Sequence, residues 1–259
     1  LPAVLDGYRA ARSVEVLKLQ SAARNSMEWF ENVARYSAME AEQFAYSLLT
    51  RSQRLSHENL RLRDPAYVAR FERWLARRAC EQAGQPPRCD TPGEALDHDP
   101  APPPMFTPYR VRGVVLKNRI MVSPMAQYSA VDGLVGDFHL MHLGARAMGG
   151  AALVMAEMTC VSADARITPG CPGLYTPAHT AAWRRIVDFV HLNSDARIGV
   201  QLGHAGAKGS TRPAWEGIDQ PLITGNWPLL AASSQQYIAG VSQWAAQASR
   251  ADMVRIRAD

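Results

Sequence analysis

The first part of this 259-residue chain carries a helical pattern of apolar and polar positions. Apolar side chains recur there at intervals of three and four residues, which is typical of amphipathic helices. The predicted helices cover residues 6–24, 25–36 after a polar break, 40–50, and 66–80. Residues 57–65 predict a turn or a short extended piece that Pro65 ends. No alternation of strand type interrupts this region, so an all-α helical segment is predicted.

A proline-rich stretch separates this region from the rest of the chain. Residues 84–104 contain repeated prolines, which disfavour helix and sheet and favour stiff extended backbone. We therefore expect three parts, namely a helical segment at 1–83, a linker at 84–104 and a second domain at 105–259. At the start of that domain, apolar positions on both sides of Arg112-Gly113 predict a hairpin over residues 105–118.

Beyond residue 118, short apolar runs alternate with helical patterns, as expected for parallel strands that are buried on both faces. The predicted strands are 119–122, 152–156 and 197–202. The predicted helices are 138–148, 176–191 and 235–257. Asp137 is expected to cap the first of these helices, and Thr176, which precedes Pro177, the second. In parallel barrels ligands bind at the carboxyl ends of the strands, so the loops after them are the candidate site.

Composition excludes several classes of function. The 28 basic and 24 acidic residues are interspersed and leave a net charge of +4, which is a poor match to nucleic acid. No apolar run approaches the roughly 20 residues of a membrane helix, and no signal-peptide pattern opens the chain. The four cysteines lack zinc spacing, so we expect no metal site and free thiols in a reducing cytoplasm.

Residues 118–133 combine a short strand, a Ser-Pro stop, the sequence Met-Ala-Gln-Tyr and an Asp-Gly turn. This stretch resembles the start of the flavin barrel in the Old Yellow Enzyme family of FMN-dependent ene-reductases. The resemblance continues through residues 137–150, 154–161 and 199–208 and covers roughly 105–212. It implies an α/β fold, namely a partial (β/α)8 TIM barrel of about three βα units behind the all-α segment. It also implies FMN as cofactor and NAD(P)H as co-substrate.

The same resemblance assigns roles to individual residues. It implies that the flavin lies along Ser123, Pro124, Met125 and Ala126. It implies that Met158 lies beside the ring and that the Gln201 amide pairs with a ring carbonyl and N–H, because a carboxamide both donates and accepts. Tyr128 would contact the substrate at the mouth of the site and is the candidate catalytic residue. The alternatives are core packing for Met125, a polar strand end for Gln201 and a half-buried surface aromatic for Tyr128.

Three further positions leave alternatives open. Many relatives carry Cys or Thr where Ala126 stands, so a hydrogen bond that tunes the flavin potential cannot be carried over. Lys208 would either attract an anionic substrate group or be solvated. His139 and His142 lie three residues apart after Asp137, and packed histidines are favoured over a metal site because no further ligand cluster is near in sequence.

The helical segment carries a second resemblance. Residues 25–32, 47–51 and 59–65 resemble the C-terminal tail of flavin-dependent aromatic hydroxylases, particularly the salicylyl-CoA and anthraniloyl-CoA monooxygenases. That order implies a bifunctional flavoprotein in which an upstream domain uses FAD to hydroxylate an aryl-CoA. The flavin barrel would then pass hydride to an activated alkene or a dearomatised CoA thioester. The small-molecule substrate would be an aryl-CoA or an enone.

Three predicted strands are fewer than the eight of a complete barrel. We therefore expect a fragment that is catalytically poor or inactive by itself, with further sequence on both sides. The alternatives are a single-function ene-reductase with an N-terminal extension, or a non-catalytic interaction module that docks a partner through the Arg-rich helix 66–80. A homo-oligomer is left open, and neither nucleic acid nor a membrane is an expected partner.

Overall fold

The computed structural model of the protein describes residues 2–85 and 101–258. The chain divides into two compact units, Leu1–Thr107 and Pro108–Asp259. Most of the predicted linker, together with Cys89, lies outside the described residues. The linker at 84–104 and the domain bounds drawn around it therefore stay predictions.

The N-terminal unit is helical, as predicted. Its helices are α1 (Pro2–Glu31), α2 (Val33–Tyr36), α3 (Ala41–Thr50), α4 (His57–Arg63) and α5 (Pro65–Ala83). The prediction of a turn at 57–65 is wrong, because α4 occupies this segment. The Ser56 side chain accepts the Asn59 N–H at 3.1 Å and begins the helix in a capping box. Helix α1 also runs through the polar break expected at residue 25.

A buried carboxylate joins α4 to α5. Glu72 is 8% exposed, and Arg61 donates to both of its oxygens, at 2.8 and 3.2 Å. His57 Nε2 lies 2.9 Å from the same carboxylate, and its Nδ1 lies 2.9 Å from the Tyr46 hydroxyl. Burial raises the pKa of Glu72, but the hydrogen bonds from Arg61 and His57 outweigh burial and hold the pKa below its ordinary value. The ionised form of Glu72 therefore stabilises this unit.

Replacement of Glu72 by Gln should lower the free energy of unfolding of the N-terminal unit by about 1–2 kcal/mol at pH 7. Because the folded pKa lies below the ordinary value of 4.5, the contribution is present above pH 4.5 and is lost as the pH falls through the folded pKa. Urea unfolding of wild type and Glu72→Gln between pH 7 and pH 3 should show two stabilities that converge on acidification. A difference that stays constant across this range would contradict the assignment.

The C-terminal unit opens with a hairpin and continues as a parallel sheet. Strands β1 (Tyr109–Val111) and β2 (Val114–Leu116) pair antiparallel around Arg112, whose φ is 51°, so the predicted hairpin is confirmed. The following elements are β3 (Met121–Val122), α6 (Asp137–Met148), β4 (Leu153–Cys160), α7 (Pro177–Asn193) and β5 (Arg197–Gly203). The three strands pair in parallel in the order β3-β4-β5.

Two cap predictions have different outcomes. Thr176 caps α7, because its hydroxyl accepts the His179 N–H at 3.2 Å. The prediction for Asp137 is wrong, since Gly136 is the cap residue and Asp137 is the first residue of α6. The Asp137 carboxylate instead forms an exposed ion pair with Arg185 at 2.7 Å.

The predicted helix 235–257 is also wrong over most of its length. Strands β6 (Leu229–Ala231), β7 (Gln235–Gln236) and β8 (Trp244–Gln247) form a separate three-stranded sheet in the order β6-β8-β7, after the short helix α8 (Ala214–Gly217). Gly240 has a φ of 73°, and the Ser242 hydroxyl accepts the Ile238 N–H, so the backbone turns there. Helix α9 (Arg250–Ala258) begins only after Ser249, which accepts the Asp252 N–H.

The core of this unit lies between the parallel sheet and the two helices α6 and α7. Its buried residues come from all three layers, namely Val154 and Ala156 of β4, Leu143 and Ala147 of α6, and Ile186 and Val190 of α7. Apolar contact therefore holds α6 and α7 against β4, which is the central strand of the parallel sheet. Within residues 2–85 and 101–258, no helix combines the length and the apolar character that a membrane crossing requires.

Replacement of Ile186 by Ala should lower the free energy of unfolding of the C-terminal unit by about 2–5 kcal/mol, because the side chain is 2% exposed and its removal leaves a cavity. Ile223 is 80% exposed and is the matched control, for which the same substitution should change stability by less than about 0.5 kcal/mol. Urea unfolding of both variants checks this, and equal effects at the two positions would contradict the described core.

Candidate functional site

The carboxyl ends of β4 and β5 meet at one edge of the sheet, and the loop after β3 runs toward this edge. Val122 pairs with Val154, and Met158 pairs with Gln201 on the next strand. Ser123 follows Val122 directly and lies level with the first part of β4, and the Gln127 N–H reaches Glu157, so the loop after β3 runs along β4 toward this edge. The structure therefore brings together the three segments in which the candidate site residues were predicted.

The loop of residues 123–128 is fixed along β4. The Gln127 N–H donates to Oε2 of Glu157 at 2.7 Å, and the Gln127 side-chain amide donates to the Met125 carbonyl at 2.9 Å. The register of β4 on β5 shifts between Ala156 and Met158, so Glu157 is the extra residue of a β-bulge. This bulge lets the strand continue to Cys160, four residues beyond its predicted end. The bulge also directs the Glu157 carboxylate toward the loop.

The candidate cofactor-contacting residues form a surface of mixed polarity. Ser123, Met125, Ala126 and Gln201 are exposed, while Pro124 and Met158 are half-buried, as is the candidate substrate contact Tyr128. Within the described part of the chain, the Gln201 carboxamide has no protein partner and is free to donate and accept. Its place is level with Met158 on the neighbouring strand.

Gly203 leaves room for Met158 at this surface. A Cβ at Gly203 would lie 2.6 Å from Sδ of Met158, so the thioether crosses β5 where that strand has no side chain. A flavin ring needs an apolar surface for its face and hydrogen-bond partners for its polar edge, which a carboxamide can provide. The residues present therefore fit an isoalloxazine ring, although the individual roles of these residues stay predictions.

Tyr128 has a left-handed backbone, with φ of 51°. Its ring packs on the cluster that contains Cys160 and Cys171, both free thiols as expected, and lies 6.1 Å from the ring of Trp215. Burial raises the pKa of the Tyr128 hydroxyl above its ordinary value, with a smaller contribution from Cys171. The hydroxyl is therefore protonated at neutral pH and able to donate a hydrogen bond.

Lys208 is paired rather than simply solvated. Its ammonium lies 3.0 Å from Asp219 and 5.2 Å from the centre of the Tyr237 ring. Burial lowers the pKa of Lys208, but the hydrogen bond to Asp219, the charge of Asp219 and the contacts with Tyr237 together outweigh burial and raise the pKa above its ordinary value. Lys208 is thus a fixed positive charge on the loop that follows β5.

The two histidines of α6 are packed, as favoured by the sequence. Within the described ranges, no group of three or more His, Cys, Asp or Glu residues is placed to hold a metal ion. His142 stacks on Phe138, and burial together with Arg146 lowers its pKa. His139 is 2% exposed and faces Glu157, a residue that the sequence analysis did not single out. The available signal was a carboxylate directly after the apolar run of a predicted buried strand.

Comparison with known proteins concerns the segment that builds this edge. Residues 104–221 match the model of the NADH:flavin oxidoreductase / NADH oxidase family. This match covers less than half of the 259 residues of the chain. Over 159 residues the chain is 37% identical to NADH:flavin oxidoreductase FG08077 of Gibberella zeae, covering 60% of this chain and 38% of that protein. Over 106 residues it is 42% identical to the NADPH dehydrogenase of Bacillus cytotoxicus, covering 40% and 30%.

The chain thus spans between 30% and 38% of the length of these two relatives. Among solved structures, it is similar to a 2-naphthoyl-CoA reductase complex, with a TM-score of 0.50 and 16% identity, over 59% of this chain and 23% of that one. At this identity the likeness concerns the fold alone. The partial (β/α)8 barrel behind a helical segment, predicted as the fold class, is confirmed.

Replacement of Gly170 by Ala should destabilise the C-terminal unit by about 1–3 kcal/mol, because a new Cβ would lie 2.7 Å from the Tyr128 carbonyl carbon. The Ala130 N–H donates to the Gly170 carbonyl at 2.9 Å, so the clash falls on the backbone that carries Tyr128. Gly113 has no atom within 4 Å of a built Cβ and provides the control Gly113→Ala. Urea unfolding measures both, and a neutral Gly170→Ala would contradict the described packing.

Proposed function

We propose that this chain provides one wall of the FMN site of an NAD(P)H-dependent flavin oxidoreductase of the Old Yellow Enzyme type. The supporting observation is that the loop after β3 runs along β4 to the edge of the parallel sheet where Met158 pairs with Gln201. The sheet lies in the segment that matches the NADH:flavin oxidoreductase family. Ligands of parallel barrels bind at this edge.

Each residue of the wall has a distinct part in binding. The side chains of Met125 and Met158 supply apolar contact to the flat ring, and the Gln201 carboxamide donates to and accepts from its polar edge. The backbone of Pro124 and Ala126 lies along the flavin, where the Ala126 methyl group offers no hydrogen bond. The chemistry that FMN supplies when bound is transfer of a hydride from NAD(P)H to an activated alkene.

Tyr128 would contact the substrate beside this wall. Its raised pKa keeps the hydroxyl protonated, so it can donate a hydrogen bond to a substrate oxygen. Lys208 lies on the loop that follows β5 and contributes a positive charge there, partly neutralised by Asp219. These features suit a small substrate with an electron-withdrawing oxygen function, such as an enone or an aryl-CoA thioester.

The finer proposal is a fusion with an aryl-CoA monooxygenase whose FAD site would lie upstream. It depends only on the likeness of residues 25–32, 47–51 and 59–65 to hydroxylase tails. The helices found in this unit agree with a tail but are not specific to one. The parent open reading frame tests it, since a GxGxxG fingerprint upstream supports the fusion. A reading frame without that fingerprint would favour the alternative, a single-function ene-reductase with an N-terminal extension.

The low activity of the isolated chain, its cytoplasmic location and any homo-oligomer stay predictions. Turnover of NAD(P)H with added FMN tests the first. A flavin absorption spectrum separates an FMN protein from the alternative of a non-catalytic interaction module. In that alternative the Arg-rich helix α5 would dock a partner and no flavin would be retained.

Replacement of Gln201 by Leu should weaken FMN binding about tenfold, because the ring edge would lose its hydrogen-bond partner. Titration of the full chain with FMN, followed by flavin fluorescence, measures the dissociation constant. Gln247 is exposed on β8 and provides the matched control Gln247→Leu, which should bind FMN as the wild type does. Equal affinity in all three proteins would count against the role of Gln201, and no binding by the wild type would overturn the proposed function.

A further inference from the structure

A buried acid–base pair lies behind the proposed flavin wall. Glu157 is 5% exposed and His139 is 2% exposed, and Nε2 of His139 lies 3.4 Å from Oε1 of Glu157. Neither side chain belongs to the exposed surface formed by the loop after β3, Met158 and Gln201. A buried carboxylate is costly unless it is paired, so the pair requires an explanation other than cofactor contact.

The hydrogen bond from Gly136 defines the tautomer of the neutral His139 ring. The Gly136 N–H donates to Nδ1 of His139 at 3.3 Å, so this nitrogen carries no hydrogen in the neutral ring. The hydrogen of the neutral ring is then on Nε2, which faces Glu157. At 3.4 Å this contact is long for a hydrogen bond and acts mainly as electrostatic support. The stronger interaction of the carboxylate is with the loop, through the 2.7 Å hydrogen bond from the Gln127 N–H.

The backbone of Glu157 is hydrogen-bonded as well as its side chain. The Thr159 hydroxyl donates to the Glu157 carbonyl at 2.9 Å, immediately after the bulge. A cavity of about 10 Å³ adjoins the pair and is lined in part by Met125, Gln127 and His142. That volume is on the scale of a single water molecule, so the pair does not form a ligand site of its own. The contacts of the pair instead connect β4 and α6 to the backbone N–H of Gln127 in the loop.

We propose that Glu157 is a positioning residue that holds the loop of residues 123–128 against β4, with His139 as its support. The inference rests on the proposed function where it concerns flavin, because this loop carries the residues that would lie along the ring. Loss of the carboxylate would leave the Gln127 N–H without its acceptor. The loop would then sample conformations that do not present Pro124, Met125 and Ala126 together.

The test uses Glu157→Leu and Glu157→Gln in the full chain. Leu removes both acceptor oxygens at similar size, whereas Gln keeps one oxygen for the Gln127 N–H and loses the charge that faces His139. Amide hydrogen exchange of the segment 121–130 should be about tenfold faster in Glu157→Leu, and intermediate in Glu157→Gln. Exchange of the core segment 183–193 in α7 should not change. FMN affinity should follow the same order.

His142 lies on the same helix and lines the same cavity, so His142→Gln is the control and should leave exchange and affinity unchanged. Wild-type exchange at 121–130 in both Glu157 variants would overturn the proposal. A parallel rise in exchange at 121–130 and 183–193 would also overturn it, because that result shows a general structural role. If Glu157→Leu does not fold, the test depends on Glu157→Gln, for which faster exchange at 121–130 supports the proposal and wild-type exchange overturns it. The hydrogen-exchange measurement needs no flavin, so it separates failure of this inference from failure of the proposed function.

Discussion

Parallel pairing of β4 with both of its neighbours is the constraint on which the candidate site depends. The pairs Val122–Val154 and Met158–Gln201 determine that β4 and β5 end at one edge and that the loop after β3 runs along β4 toward it. A shift of one residue in either register would turn the side chain of Met158 or Gln201 to the opposite face. The register is held by the apolar contacts of α6 and α7 against β4, in which Val154 and Ala156 are almost completely buried. The site is thus a consequence of how the core packs.

The bulge at Glu157 refines this arrangement. A regular strand would place alternate residues of β4 on alternate faces, and the extra residue changes that alternation before Met158. The carboxylate then points into the unit and binds the loop, while Met158 lies at the surface over Gly203. One irregularity in one strand therefore serves both the loop and the proposed ring contact. Bulges next to functional sites are frequent for this reason.

Much of the fold could be predicted from the sequence, because strongly periodic segments are determined locally. The continuous apolar run before Glu157 predicted β4, and Thr176 followed by Pro177 predicted the start of α7 correctly. The errors occurred where tertiary contacts decide. The segment 235–257 has apolar residues at helical intervals, but pairing with Leu229–Ala231 makes residues 244–247 a strand. The segment 57–65 is short, and its capping box at Ser56 was not recognised.

The candidate site was predicted by resemblance more than by pattern. Ser123 and Gln201 are ordinary polar residues at strand ends, and nothing in their local sequence indicates a flavin. Glu157 and His139 lie 18 residues apart in the sequence, so their contact could not be predicted from periodicity. Their pairing depends on the packing of α6 over β4, which only the three-dimensional structure provides.

The central claim is that the loop after β3 and the end of β4 face the same flat ring. Carbon-13 labelling of methionine methyl groups in the full chain, with FMN titrated in, tests it most directly. Ring-current shifts are expected at Met125 and Met158, which lie at the proposed wall. No shift is expected at Met148, which is 60% exposed at the far end of α6. Shifts at Met148 without shifts at Met125 and Met158 would contradict the account.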